Sequence, residues 1–132
     1  QAGFRVTLAD DRQADEVGEG VLLCKSDGFF QGFPVAGTTC IVICTRSHTL
    51  DYDVLQQALA TPAAYIGLLG SRLKKESFFS RLQQAGVLEK DLERIITPVG
   101  LAIGAQTPQE IGVSIVAQLI MQIKPPAPLV RA

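Results

Sequence analysis

The chain has 132 residues, 47% of them hydrophobic, which suits one well-packed domain and is too short for two ordinary ones. Thirteen acids against twelve bases leave a formal charge of −1, so no global field draws it to nucleic acid or to an anionic membrane. Three cysteines without CxxC spacing and a single histidine argue against a disulfide framework and a closed metal site; no metal ligands are expected.

Phe4 to Asp10 alternates apolar with other residues and reads as a strand delivering Asp10 and Asp11 to its C-terminal edge. The polar stretch Arg12 to Gly20 reads as loop or frayed helix, and Val21 to Cys24 as a second short strand. The stretch that follows, to Gly37, has no clear period. Thr39 to Cys44, TCIVIC, is an apolar, β-branched run of the kind buried on both faces of a parallel sheet. It exits through Thr45-Arg46-Ser47-His48, and a helix is expected from Asp51, with Val54, Leu55, Ala58 and Leu59 on its apolar face and Pro62 beyond its end.

Tyr65 to Leu69 is the next buried strand. It stops at Gly70, turns through Ser71 and enters a helix, Leu73 to Ala85, with Arg72, Lys74 and Lys75 at or near its start, Phe78, Phe79 and Leu82 inward, and Gly86 as C-cap. Leu88 to Glu93 is a further helical turn, and Ile95-Ile96 lead into a glycine-rich loop. Thr107-Pro108-Gln109-Glu110 combines a Thr cap, Pro at the first helical position and Glu completing a capping box. The helix it opens carries Ile111, Ile115, Leu119 and Ile123 at helical spacing and is expected to be largely buried. Its apolar run falls short of the roughly 20 residues that span a bilayer. No signal-type leader opens the chain, so a cytoplasmic protein without membrane partners is expected; Gln1 in place of Met means a removed initiator or a piece of something longer.

Strands alternating with helices mean βαβ units: an α/β fold, a Rossmann-like parallel sheet with flanking helices, over residues 1–124, followed by a proline-rich tail, 125–132, expected to be mobile. No G-x-G-x-x-G turn precedes Phe4, so the first strand of such a sheet is missing and unpaired backbone is expected at its centre. Either the chain is a fragment or a second chain fills that gap, and exchange of a strand or segment would then make a homo-oligomer.

The turn at Gly70, Ser71, Arg72 and Lys74 is the recipe for an anion site, because the first N–H groups of a helix lack partners and its dipole is positive there. The plain alternative is an ordinary cap with solvated bases. Thr45, Arg46 and His48 leave a strand at the edge where a parallel sheet places its ligands, although a lone histidine also serves as a cap or core group. Asp51 could orient His48. Asp10 stands where such folds bond a ribose hydroxyl, with Asp11 an equal candidate and a solvated strand end the alternative. Cys44 is a small core hydrophobe or a thiol beside cations. Gly100 and Gly104 serve turns, or form with Thr107 a second anion cradle.

Three blocks carry a resemblance: ICTRSHTLDYDVL, with Thr45, Arg46, His48 and Asp51; YIGLLGSRLK, with Tyr65, Gly67, Gly70, Ser71, Arg72 and Lys74; and PVGLAIGAQTPQEIGVSI, with Pro98, Gly100, Gly104, Thr107, Glu110 and Ser114 among its matches. Together they resemble the C-terminal Rossmann-type domain of the XdhC/CoxI family, accessory proteins that mature molybdenum hydroxylases such as xanthine dehydrogenase. Leu73 stands where that family usually has a second arginine, and Ala102 where it often has an acid. The family's glycine-rich first strand and cysteine-bearing N-terminal domain are not in this sequence.

The resemblance implies an accessory role rather than a turnover enzyme: binding of the molybdenum cofactor (molybdopterin), support for its sulfuration, with a cysteine desulfurase as a further partner, and hand-over to an apo molybdenum hydroxylase. It assigns no catalytic residue. The residues alone leave open an NAD(P)-binding module or small oxidoreductase, and a non-catalytic interaction domain.

Overall fold

The computed structural model describes residues 6–12, 21–23, 28–31 and 34–123. The segments 13–20 and 125–132, expected as loop or frayed helix and as tail, lie outside them.

Three apolar runs make one parallel sheet. Strand β3 (Cys40–Ile43) pairs with β4 (Tyr65–Leu68), which pairs with β5 (Ile95–Ile96). The sequence signals β5 only as the lead into a loop; its two residues fall in register with Ile66 and Gly67. Strands β1 (Leu8–Asp10) and β2 (Val21–Leu23) form a separate parallel pair. Among the described residues, the edges of β1 and β3 that face away from β2 and β4 have no ladder partner, so the sheet is open where a first strand is expected to be missing.

Cross-strand partners point to the same face, and the register puts Ile41, Ile43, Ile66, Leu68 and Ile95 together. Helices α1 (His48–Leu59) and α2 (Arg72–Gln84) cover that face, where Leu55, Ala58 and Leu82 are fully buried and Tyr52 meets Phe78 edge to face at 5.3 Å. Each fully buried leucine or isoleucine there contributes about 1.5–3 kcal/mol by leaving water. Helix α3 (Glu89–Leu92) adds Leu92. Arg94 closes the lower end by donating to the carbonyls of Leu59, Thr61 and Ala63.

The opposite face carries Cys40, Val42, Tyr65 and Gly67. A methyl group at Gly67 would stand 2.6 Å from both Tyr65 Cε1 and Val99 Cγ2, so this strand position takes glycine for close packing. Helix α4 (Pro108–Ile123) lies on this side, tied by Gln118, whose Oε1 accepts from the Tyr65 hydroxyl and from the Gly100 N–H at 2.9 Å.

Two expectations fail here for one reason. The TCIVIC strand is not buried on both faces: Ile41 and Ile43 are buried, but Val42 and Cys44 are exposed. Helix α4 is not largely buried: Val113, Val116, Ile120 and Met121 are exposed, and Ser114 is its one fully buried residue among those described. Both stripes lie on the face where α4 alone packs, and the described residues supply no second element to cover them.

Candidate functional site

The helix starts define the site. Strand β3 ends at Ile43 and the chain turns so that Ser47 caps α1, its Oγ accepting from the Leu50 N–H at 3.1 Å. Strand β4 ends at Leu68, and Ser71 caps α2 in the same way through the Lys74 N–H at 3.3 Å. The two N-termini flank an open cleft of about 350 Å³, lined by residues 44–48, Asp51, Leu69, Gly70 and Lys74. Helices of 12 and 13 residues thus turn their positive ends and partnerless first N–H groups toward one space.

Beneath the cleft runs a buried polar chain. One oxygen of Asp51, Oδ1, accepts from the Thr45 N–H at 2.8 Å and the Thr45 hydroxyl at 2.7 Å. The other, Oδ2, forms an ion pair with Lys74 Nζ, which also donates to the Leu69 carbonyl at 2.6 Å. Two of the three ammonium donors are thereby used. Lys74 reaches this position by folding back over Gly70, where any Cβ would overlap its aliphatic stem. Asp51 is committed to Thr45 and Lys74, and among the described residues it makes no bond to His48.

Seven residues singled out from the sequence therefore meet in the cleft: Cys44, Thr45, Arg46, His48, Asp51, Gly70 and Lys74. Ser71 and Arg72 follow at its edge, both exposed; Arg72 has no ion pair among the described residues. Lys74 sits there as a buried counter-ion to Asp51 rather than a solvated base. His48, the first residue of α1, is exposed, with its ring edge-on to Phe78 at 6.4 Å.

Gly100, Gly104 and Thr107 do not line the cleft. Their loop follows β5, passes the end of β4, where the Val99 N–H bonds to the Leu68 carbonyl, and meets α4 through the Leu101 N–H and the Ser114 carbonyl. Gly100 and Gly104 take φ of +100° and +75°, the left-handed region that favours glycine. Thr107 forms the expected capping box: it accepts from the Glu110 N–H, and Glu110 accepts from the N–H groups of Gln106 and Thr107. Those two bonds hold the Glu110 carboxyl below its usual range.

Asp10 is bonded by its neighbour Arg12. The Arg12 guanidinium and main-chain N–H hold it at 2.8–3.2 Å and bring its pKa down to about 2. The neighbouring Asp11 makes the longer connection, its Oδ2 meeting Arg46 Nη2 at 2.8 Å, so that β1 and β3 are tied at their C-terminal ends. Cys44 lies on the cleft wall with its thiol pushed up, first by burial around the sulfur and then by the Asp51 carboxylate, while Lys74 opposes the shift. Sequence reasoning starts α1 three residues late and so misses the Ser47 cap, although a serine just ahead of the apolar period is a readable start signal. It names Asp51 only as a partner of His48, because its actual partner lies 23 residues away.

Known proteins share this arrangement of elements. Residues 1–119 match the model of the XdhC Rossmann domain. The chain is 33% identical over 130 aligned positions to a probable xanthine dehydrogenase subunit of Bacillus subtilis, covering 92% of this chain and 37% of that protein. It is 41% identical over 88 residues to the uncharacterized protein YqeB of Escherichia coli, covering 67% of this chain and 16% of that one. The crystal structure of a xanthine dehydrogenase from Bacillus halodurans superposes with a TM-score of 0.66 at 32% identity, over 80% of this chain and 30% of the other. The chain thus spans little more than a third, at most, of these relatives.

Proposed function

Because the chain belongs to the XdhC family, as its Rossmann domain, we propose that it serves the maturation of molybdenum hydroxylases of the xanthine dehydrogenase type by holding the molybdenum cofactor in the cleft between α1 and α2. The observation that carries this reading is the convergence of two capped helix N-termini on one open space. The cofactor's pterin ends in a phosphate or nucleotide diphosphate, and helix N-termini are ready-made sites for such anions. Bound there, it would carry the molybdenum centre that a client enzyme needs.

The chain's own residues divide the work. Arg72 and the first N–H groups of α2 meet the anion. Lys74 lines the same space, with its position fixed by Asp51. His48 stands at the rim, where its ring can cover or hydrogen-bond the pterin. The names borne by the Bacillus relatives favour a hydroxylase of the xanthine dehydrogenase type as partner. The open sheet edges and the exposed stripe of α4 favour self-association, which light scattering at micromolar concentration would test: a monomer would remove that part.

Calorimetry under anaerobic conditions, with molybdopterin and NAD(P) run side by side on the chain and on Arg72→Ala, tests the main reading. Molybdopterin is expected to bind, and to bind at least ten-fold more weakly to the variant. Equal affinity in both proteins, or NAD(P) binding in place of molybdopterin, would overturn it.

A further inference from the structure

Helix α4 is apolar on two opposite faces. One meets the sheet and the loop after β5 through the buried Ser114 and through Gln118. The other carries Gly112, Val113, Val116 and Ile120, and its three large apolar side chains are 63%, 37% and 42% exposed. They recur three and four residues apart, the spacing of a narrow coiled-coil seam. From residue 108 to 123 the helix has a single charged residue, Glu110. A helix that is apolar all round is normally buried on all sides, yet among the described residues no element covers this seam.

The seam itself constrains what can cover it. It offers no lysine or arginine to an anionic bilayer and no row of charges to a charged partner protein. Two copies of it, by contrast, meet with no like charges to bury. It also tapers: Gly112, with open space where a Cβ would stand, and Val113 lie near its start, and the larger Ile120 near its end. A parallel copy would set large against large and small against small. An antiparallel copy sets Val113 against the partner's Ile120 and Val116 against the partner's Ala117, and it also opposes the two helix dipoles. Sixteen residues make a seam about 24 Å long. One helix wide, it covers well under the roughly 800 Å² per partner of a standard interface, so the pairing is expected to be reversible.

We propose that a second copy of this chain covers the seam, with α4 packed antiparallel on α4 of its partner about a two-fold axis between Val116 and Ala117. This rests on the self-association read above, and it names the surface and the register that carry it. The open edges of β1 and β3 take no part in this pairing.

Sedimentation equilibrium of the full chain, from about 1 to about 200 μM, tests this, and a monomer–dimer equilibrium with a Kd of the order of 10 μM is expected. Val113→Glu and Ile120→Lys should each weaken the dimer at least ten-fold, because each sets a charge against an apolar side chain. The double variant sets Glu against the partner's Lys at both ends of the seam only when the helices run antiparallel, and it should recover the dimer to within about three-fold of the unaltered chain. Both positions are exposed, so thermal melting of dilute protein should match the unaltered chain in all three variants. A monomer at every concentration overturns the seam and the self-association together. A dimer that ignores both single substitutions overturns the seam and leaves self-association to the open sheet edges. A double variant no better than either single one overturns the antiparallel register.

Discussion

Lys74 runs directly over the bare Cα of Gly70, and this crossing brings a side chain of α2 to Asp51 in the first turn of α1. A methyl group at position 70 would occupy the path of the lysine stem. Gly70→Ala is therefore expected to push Lys74 off Asp51 and to cost about 1–3 kcal/mol, the usual range for overpacking a tight site. Urea unfolding would measure it. An unchanged midpoint would mean that the lysine reaches Asp51 by another route.

The Asp51–Lys74 pair should behave as a buried unit. Removing one partner strands the other charge, so Lys74→Met alone is expected to cost about 3–5 kcal/mol. Adding Asp51→Asn removes that stranded charge and keeps an oxygen for Thr45, so the double variant should be more stable than Lys74→Met by itself. Equilibrium unfolding of the two single variants and the double gives the coupling. Simple additivity would contradict the ion pair as the source of the cost.

These two residues also mark how far the sequence can be read. Strand β4, the three long helices α1, α2 and α4, and the Thr107–Glu110 capping box are legible because each is signalled within a few residues, by period, cap or proline. The turn at Gly70 and Ser71 is legible as a helix start. The role of Lys74 is not, since a lysine in the first turn of a helix looks like a solvated base until its partner 23 residues away is known. For the same reason Asp11 cannot be separated from Asp10: only the fold places Arg46 beside the one and leaves the other to Arg12. The exposure of Val42 and of the α4 stripe is illegible too, because apolar periodicity shows which residues share a face but not whether another element covers it.

Cys44 gives the cleft an electrostatic reporter. Its thiol is pushed above the ordinary range by burial and by the Asp51 carboxylate, against Lys74, so it should be mostly neutral at pH 8 and react with iodoacetamide more slowly than a free cysteine. The measurement belongs in a Cys24→Ser, Cys40→Ser background. There, Asp51→Asn should move the rate–pH profile to lower pH and Lys74→Met should move it to higher pH. An unmoved profile in both would mean that neither charge acts on the sulfur.

Tyr65 provides the alkaline limit of stability. Its phenol is buried against α4, donates to Gln118, and has its pKa pushed up to about 12, chiefly by that burial. The folded value lies above the unfolded value near 10, so the stability it contributes is complete below pH 10 and is lost as pH rises from there through 12. In Tyr65→Phe the hydrogen bond is gone, at a cost of about 0.5–1.5 kcal/mol at neutral pH. The steep loss between pH 10 and 12 should be shallower in the variant, because its ring has no proton to give up. Denaturant unfolding at pH 8 and at pH 11 on both proteins separates the two effects. An equal drop in the two proteins would show that Tyr65 does not set the alkaline limb.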